Sequence, residues 1–181
     1  MNSTLKDRLE AIQARIEAAA ERSGRPRDAV KLIAVSKTHP VEAIEEAIAA
    51  GQRVFGENRL QEALGKLDLL DDRAEFHLIG HLQRNKAALA VGRFALIHSV
   101  DSVRLIEELE RRAAVAGLVQ SILLQVNVSG EASKSGVTPA GLPELMDELD
   151  ASPHLEGHGL MTIPPWSEDP ESVRSHFARL R

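Results

Sequence analysis

A chain of 181 residues with a formal net charge of −5 and no cysteine is long enough for one domain with a full hydrophobic core, and it excludes disulfides, thiolate metal sites and a thiol nucleophile together. Its basic residues are scattered rather than clustered, and one Trp, four Phe and no Tyr leave little surface for base stacking, so nucleic acid is not expected as a partner. No run approaches the roughly 18 apolar residues that a membrane span needs, and the amphipathic N-terminus has no apolar signal core, which predicts a soluble cytoplasmic protein with no membrane partner.

In chain order, Leu5, Leu9, Ile12 and Ile16 recur at helical spacing after Ser3 or Thr4 as caps and before Gly24 as a stop, which predicts an amphipathic first helix. Apolar runs at Leu32–Ser36, Arg53–Gly56, Phe76–Leu82, Phe94–Val100, Ile122–Val128 and Leu155–Ile163 follow, separated by helical patterns. The second helix has Pro40 at its first turn and Gly51 after its last, and Asp101 or Ser102 is placed to cap the Val103/Ile106/Leu109 face. Gly141 and Pro143 blur the start of the helix over Leu142–Leu149. Strands alternating with helices predict a parallel sheet in one α/β domain over residues 1–181, either closed as a barrel or open and doubly wound.

Alternation within the strands bears on that choice. Ile33, Val35 and Lys37 share one face, as do Leu123, Gln125 and Asn127, then His77, Ile79 and His81, then His158, Leu160 and Thr162. Polar groups from several strands aimed at one axis suit a barrel interior, whereas six strands rather than eight suit a doubly wound sheet. Lys37 ends the first apolar run where a helix is about to begin. Placing an ammonium there costs free energy unless the group neutralises or finds a partner, and a Schiff-base lysine makes use of that cost. The alternative is a strand-terminal lysine whose ammonium snorkels to solvent.

Ala34-Val-Ser-Lys37-Thr, Phe55-Gly-Glu-Asn58, Phe76-His-Leu-Ile-Gly80-His-Leu-Gln83-Arg-Asn-Lys86, Val126-Asn-Val128, Ser133-Lys-Ser-Gly136 and Gly159-Leu-Met161 resemble, in order and spacing, the pyridoxal phosphate homeostasis proteins. The resemblance runs from about residue 5 to the C-terminus. It implies a (β/α)8 TIM-type barrel of the alanine racemase N-terminal-domain type, with about six βα units in this chain and pyridoxal 5′-phosphate held as a Schiff base on Lys37. It further implies a non-catalytic carrier that serves intracellular homeostasis of this form of vitamin B6, with pyridoxal phosphate-dependent apoenzymes as recipients. Chains of the family continue for roughly another two strands, carrying a Ser/Gly-rich phosphate-binding loop and an Arg-Ile/Val-Gly segment. Strands seven and eight are therefore expected to be missing here, by truncation of a longer gene product.

On that resemblance Asn58 is expected at the cofactor ring or its O3′ oxygen, or as a helix cap, and Glu57 as a structural acceptor that fixes the loop or pairs with a basic neighbour. His77 either faces the ring or is a core histidine bonded to nearby backbone, and Met161 floors the pocket with Thr162, unless it is plain packing. His81, Gln83, Arg84, Asn85 and Lys86 offer donors around a helix start, and Ser133-Lys134-Ser135-Gly136 forms a polar loop able to hold an anion. Gly159 is expected to permit a close backbone approach. Lys37 is expected in a partly desolvated pocket that lowers its pKa. The pair His77 and His81 has the spacing that converges on a helix, but this stretch reads as strand, so no metal is expected. No catalytic residue is assigned. A pyridoxal phosphate-dependent amino-acid racemase is the alternative; it would need an acid/base pair across the cofactor, which only Lys or His could supply on the far face in a chain without Tyr or Cys. A Schiff-base aldolase would suit the short chain but leaves the six motifs unexplained.

Overall fold

The computed structural model describes residues 3–131 and 134–181. Strand and helix alternate as the pattern predicts: α1 (Leu5–Arg22), β1 (Ala34–Val35), α2 (Val41–Ala49), β2 (Val54–Glu57), α3 (Leu60–Leu70), β3 (Glu75–Leu78), α4 (Ala87–Ala90), β4 (Leu96–Val100), α5 (Val103–Ala116), β5 (Gln120–Gln125), α6 (Leu142–Asp150), β6 (Leu155–Met161) and α7 (Pro170–Leu180). The six strands are parallel and stand in chain order in one sheet, whose end strands are β1 and β6. Several strands are shorter than their apolar runs. β1 keeps only two residues of Leu32–Ser36, whereas β6, the other end strand, is seven residues long.

The chain divides into two compact units, the first comprising residues up to Glu57 together with Gln61–Phe76, the second Asn58–Leu60 with His77–Arg181. In the first, α1 starts at a reciprocal cap: the Thr4 hydroxyl accepts from the Asp7 amide at 3.1 Å and the Asp7 carboxylate accepts from the Thr4 amide at 2.8 Å. α2 follows Pro40 directly and ends just before Gly51, as expected. Ile44 and Ala47 of α2, Phe55 of β2 and Ala63 and Leu70 of α3 are buried, and the Phe55 and Phe76 rings lie 5.8 Å apart at a tilt. Each large side chain so buried contributes roughly 1.5–3 kcal/mol.

The core of the second unit is aliphatic, with Ile97 and Val100 of β4, Ile106, Leu109 and Ala113 of α5, and Ile122 of β5 wholly buried. Two details differ from the sequence pattern. Ser102 occupies the N-cap position of α5 without a side-chain cap, and Asp101 instead accepts the Gly136 amide at 3.3 Å, so the acid that looked like a cap ties down the loop after β5. Gly159 meets nothing within 4 Å of where a Cβ would stand. Its φ of +131° falls where the β5–β6 register slips between Ile122 and Leu124, so this glycine serves a bulge and not a close approach.

Candidate functional site

In the first unit Lys37 begins the turn that follows β1, and its side chain is exposed. Among the described residues it has no hydrogen bond or ion pair. The expected partial desolvation is not found: Val35, on the same face of the strand, is itself 48 % exposed, so no wall screens the amine from water. What is built is the backbone around it. Ser36 is buried, and its hydroxyl donates to Glu57 Oε1 at 2.7 Å. Lys66 Nζ donates to the Ser36 carbonyl, to Glu57 Oε1 and to Glu62 Oε1, each at 2.8 Å. On the other side of Lys37, the Thr38 amide donates to Glu62 Oε1 at 2.6 Å.

Thr38 has a φ of +64°, a conformation that a β-branched residue adopts only when its surroundings impose it. Glu57 is fully buried, its Oε2 lacking a partner among the described residues, and Lys66 is 7 % exposed. Burial pushes the Lys66 ammonium down, but the hydrogen bonds and charges of Glu57 and Glu62 outweigh it and hold the pKa above the usual lysine value. The group is therefore a charged buried cluster, as its geometry requires. Glu57 is the structural acceptor that the sequence suggested, bonded to a basic neighbour. Lys66, Glu62, Ser36 and Thr38 were not singled out. The one local signal was the spacing of Glu62 and Lys66, four apart on a helix.

In the second unit Asn58 is half-buried on the bend after β2. It packs backbone to backbone with Gly80, where any Cβ would collide with the Asn58 carbonyl, and the Gly80 carbonyl in turn accepts from the Ser99 hydroxyl at 2.7 Å. His77 is buried in β3, with Nδ1 2.9 Å from Nε2 of His98 in β4. The partner seen is thus another histidine, which the sequence reading had passed over inside the apolar run Phe94–Val100. Burial first, and the charge of His77 second, push His98 down to about 4, so the His98 ring is held neutral near pH 7. Met161 is half-buried at the end of β6, its carbonyl accepting the Val126 amide at 2.8 Å, and the Thr162 hydroxyl donates to the Val126 carbonyl at 2.8 Å.

His81 is exposed and stands 3.9 Å from Asp101. Of the loop after β5, Ser133 lies outside the described residues. Lys134 is engaged by Glu131 at 3.1 Å and by the Ile163 carbonyl at 3.4 Å, so it is not held out for an anion. The Asn127 amide donates to the Glu131 and Lys134 carbonyls, which folds this loop onto the end of β5.

The sequence model of the alanine racemase N-terminal domain matches residues 8–181. A pyridoxal phosphate homeostasis protein of Aquifex aeolicus is 45% identical over 176 residues, covering 97% of this chain and 77% of that protein. PipY of Synechococcus elongatus without PLP gives a TM-score of 0.86 at 39% identity, over 98% of this chain and 79% of its own. The structure of the same protein with PLP bound gives 0.78 at 43% identity, over 91% and 77%. The alanine racemase of Corynebacterium glutamicum, at 19% identity and a TM-score of 0.65 over 95% of this chain and 49% of its own, shares the fold.

Proposed function

This chain belongs to the alanine racemase N-terminal domain family and, within it, to the pyridoxal phosphate homeostasis proteins, and from that premise we propose that it holds pyridoxal 5′-phosphate as a Schiff base on Lys37. The observation that carries the reading is an exposed amine, without a partner among the described residues, on an anchored turn at the end of β1, the rim where barrels of this type do their chemistry. The residues present fit the aldehyde end of the cofactor. When bound, the cofactor supplies an electrophilic aldehyde conjugated to an electron-accepting pyridine.

Lys37, in its neutral form, gives its nitrogen lone pair to the aldehyde carbon, and its two protons leave with the carbonyl oxygen as water. Asn58, His77 and Met161 are proposed as further cofactor-binding residues, Asn58 through its amide, His77 through its imidazole and Met161 through its apolar surface. The role is that of a carrier without turnover, keeping the cytoplasmic pool of the cofactor and supplying pyridoxal phosphate-dependent apoenzymes. The likeness to pyridoxal phosphate homeostasis proteins and the PLP-bound structure of PipY support this reading.

The test is a visible spectrum. Protein incubated with pyridoxal phosphate and passed through a desalting column should retain an absorption band above that of free protein, and borohydride should bleach it. The band should be missing in Lys37→Ala. A colourless wild type, or an equal band in Lys37→Ala, contradicts the proposal.

A further inference from the structure

The backbone on both sides of Lys37 is gripped by one buried charge cluster. Lys66 Nζ reaches the Ser36 carbonyl, the residue before Lys37, at 2.8 Å. Glu62 Oε1 accepts the amide of Thr38, the residue after it, at 2.6 Å. The two grips are one object, because Lys66 Nζ also bonds Glu62 Oε1 and Glu57 Oε1, and Glu57 Oε1 takes the Ser36 hydroxyl. All three ammonium protons of Lys66 have an acceptor in this set.

Two features make the arrangement more than an ordinary ion pair. Thr38 is forced into the left-handed region at φ +64°, where threonine is rare, and its amide points at a carboxylate from a helix 24 residues further on. Glu57 leaves Oε2 without a partner among the described residues, in a fully buried position. A buried network that tolerates an orphaned carboxylate oxygen and a strained backbone in the same few residues is retained for what it orients. What it orients is the single residue between its two grips, whose own side chain it does not touch.

Resting on the reading of Lys37 as the cofactor anchor, we infer that Lys66, Glu57 and Glu62 are positioning residues that fix the turn at Ser36 and Thr38 so that the Lys37 amine is presented at one place and angle. They act on the backbone and leave the amine free. The Glu62 carboxylate is the adjustable member, because its side chain is 26% exposed whereas those of Lys66 and Glu57 are 8% and 0%. Glu62→Gln keeps an oxygen for the Thr38 amide, and Glu62→Ala removes it.

The experiment compares wild type, Glu62→Gln, Glu62→Ala, the double variant Glu57→Gln/Lys66→Met and Lys37→Ala, each shown folded by its melting curve. Two quantities are read: the dissociation constant for pyridoxal phosphate from the visible band, and the hydrogen-exchange rate of the Thr38 amide without cofactor. Loss of a charge-assisted hydrogen bond should raise the dissociation constant about tenfold in Glu62→Ala and in the double variant, with Glu62→Gln within about threefold of wild type. Thr38 exchange should quicken by about tenfold or more in Glu62→Ala and be rescued in Glu62→Gln. A merely structural cluster would lower all melting temperatures and leave the binding of the folded protein alone. Wild-type binding in both Glu62→Ala and the double variant, beside a Lys37→Ala protein that binds nothing, overturns the positioning role while leaving the anchor standing. Capture that survives in Lys37→Ala overturns the anchor and this role with it. Should the double variant fail to fold, the Glu62 pair alone decides.

Discussion

His98 gives the sharpest consequence at the scale of single residues. Its pKa is pushed from 6.5 to about 4 by burial and by His77, so between those pH values the unfolded chain takes up a proton that the folded chain refuses. Stability is therefore full above pH 6.5 and falls as the pH drops toward 4, by about 3 kcal/mol across the window. Urea unfolding at pH 7 and at pH 4.5 measures this directly, and His98→Gln should flatten the difference; an unchanged slope in that variant would place the loss elsewhere. Gly80 makes a second prediction. Gly80→Ala drives a methyl into the Asn58 carbonyl, so it should cost about 1–3 kcal/mol in denaturant unfolding. Among residues, Glu57 was legible because its place at a strand end marks it. Lys66 and His98 were not, because the Ser36 carbonyl and His77 that they meet lie 30 and 21 residues away, and the one local sign, Glu62 four residues before Lys66, is equally a mark of an exposed helix face.

Among the elements, the start of α1 was legible from a side chain that closes its own cap and that of α2 from the proline before it, whereas the cap of α5 was not. Thr4 caps α1 with Asp7 in return, and Thr4→Ala should lower stability by about 1 kcal/mol, seen as a small fall in the melting temperature. Asp101 had the right chemistry for a cap on α5, but the loop after β5 claims its carboxylate, a competition between local and distant donors that spacing cannot resolve. Strand existence was clear from apolar runs, whereas strand length was not. Leu32 and Ile33 are as apolar as their neighbours yet fall outside β1, since ladder length depends on what lies alongside. In α5 the apolar face was correctly placed, and Leu109, wholly buried, should cost roughly 2–5 kcal/mol on truncation to Ala by the same denaturant measurement.

At the scale of the whole molecule, the alternation of six strands and their helices gave the α/β class, and the motifs, not the strand count, gave the barrel family. The parallel sheet runs from β1 to β6 in chain order, and its best-buried strands are β4 and β5. Amide exchange should accordingly be slowest at Ile97, Ile122 and Leu124 and fastest among strand residues in two-residue β1. Of the six lysines, Lys37 is the proposed holder of the cofactor. Borohydride reduction of protein loaded with pyridoxal phosphate, followed by protease digestion and mass spectrometry of the peptides, locates the modified residue. One reduced pyridoxyl group per chain, on the peptide containing Lys37, is the expected result; label spread over Lys31, Lys86 and Lys134, or absent from Lys37, would contradict the proposed anchor.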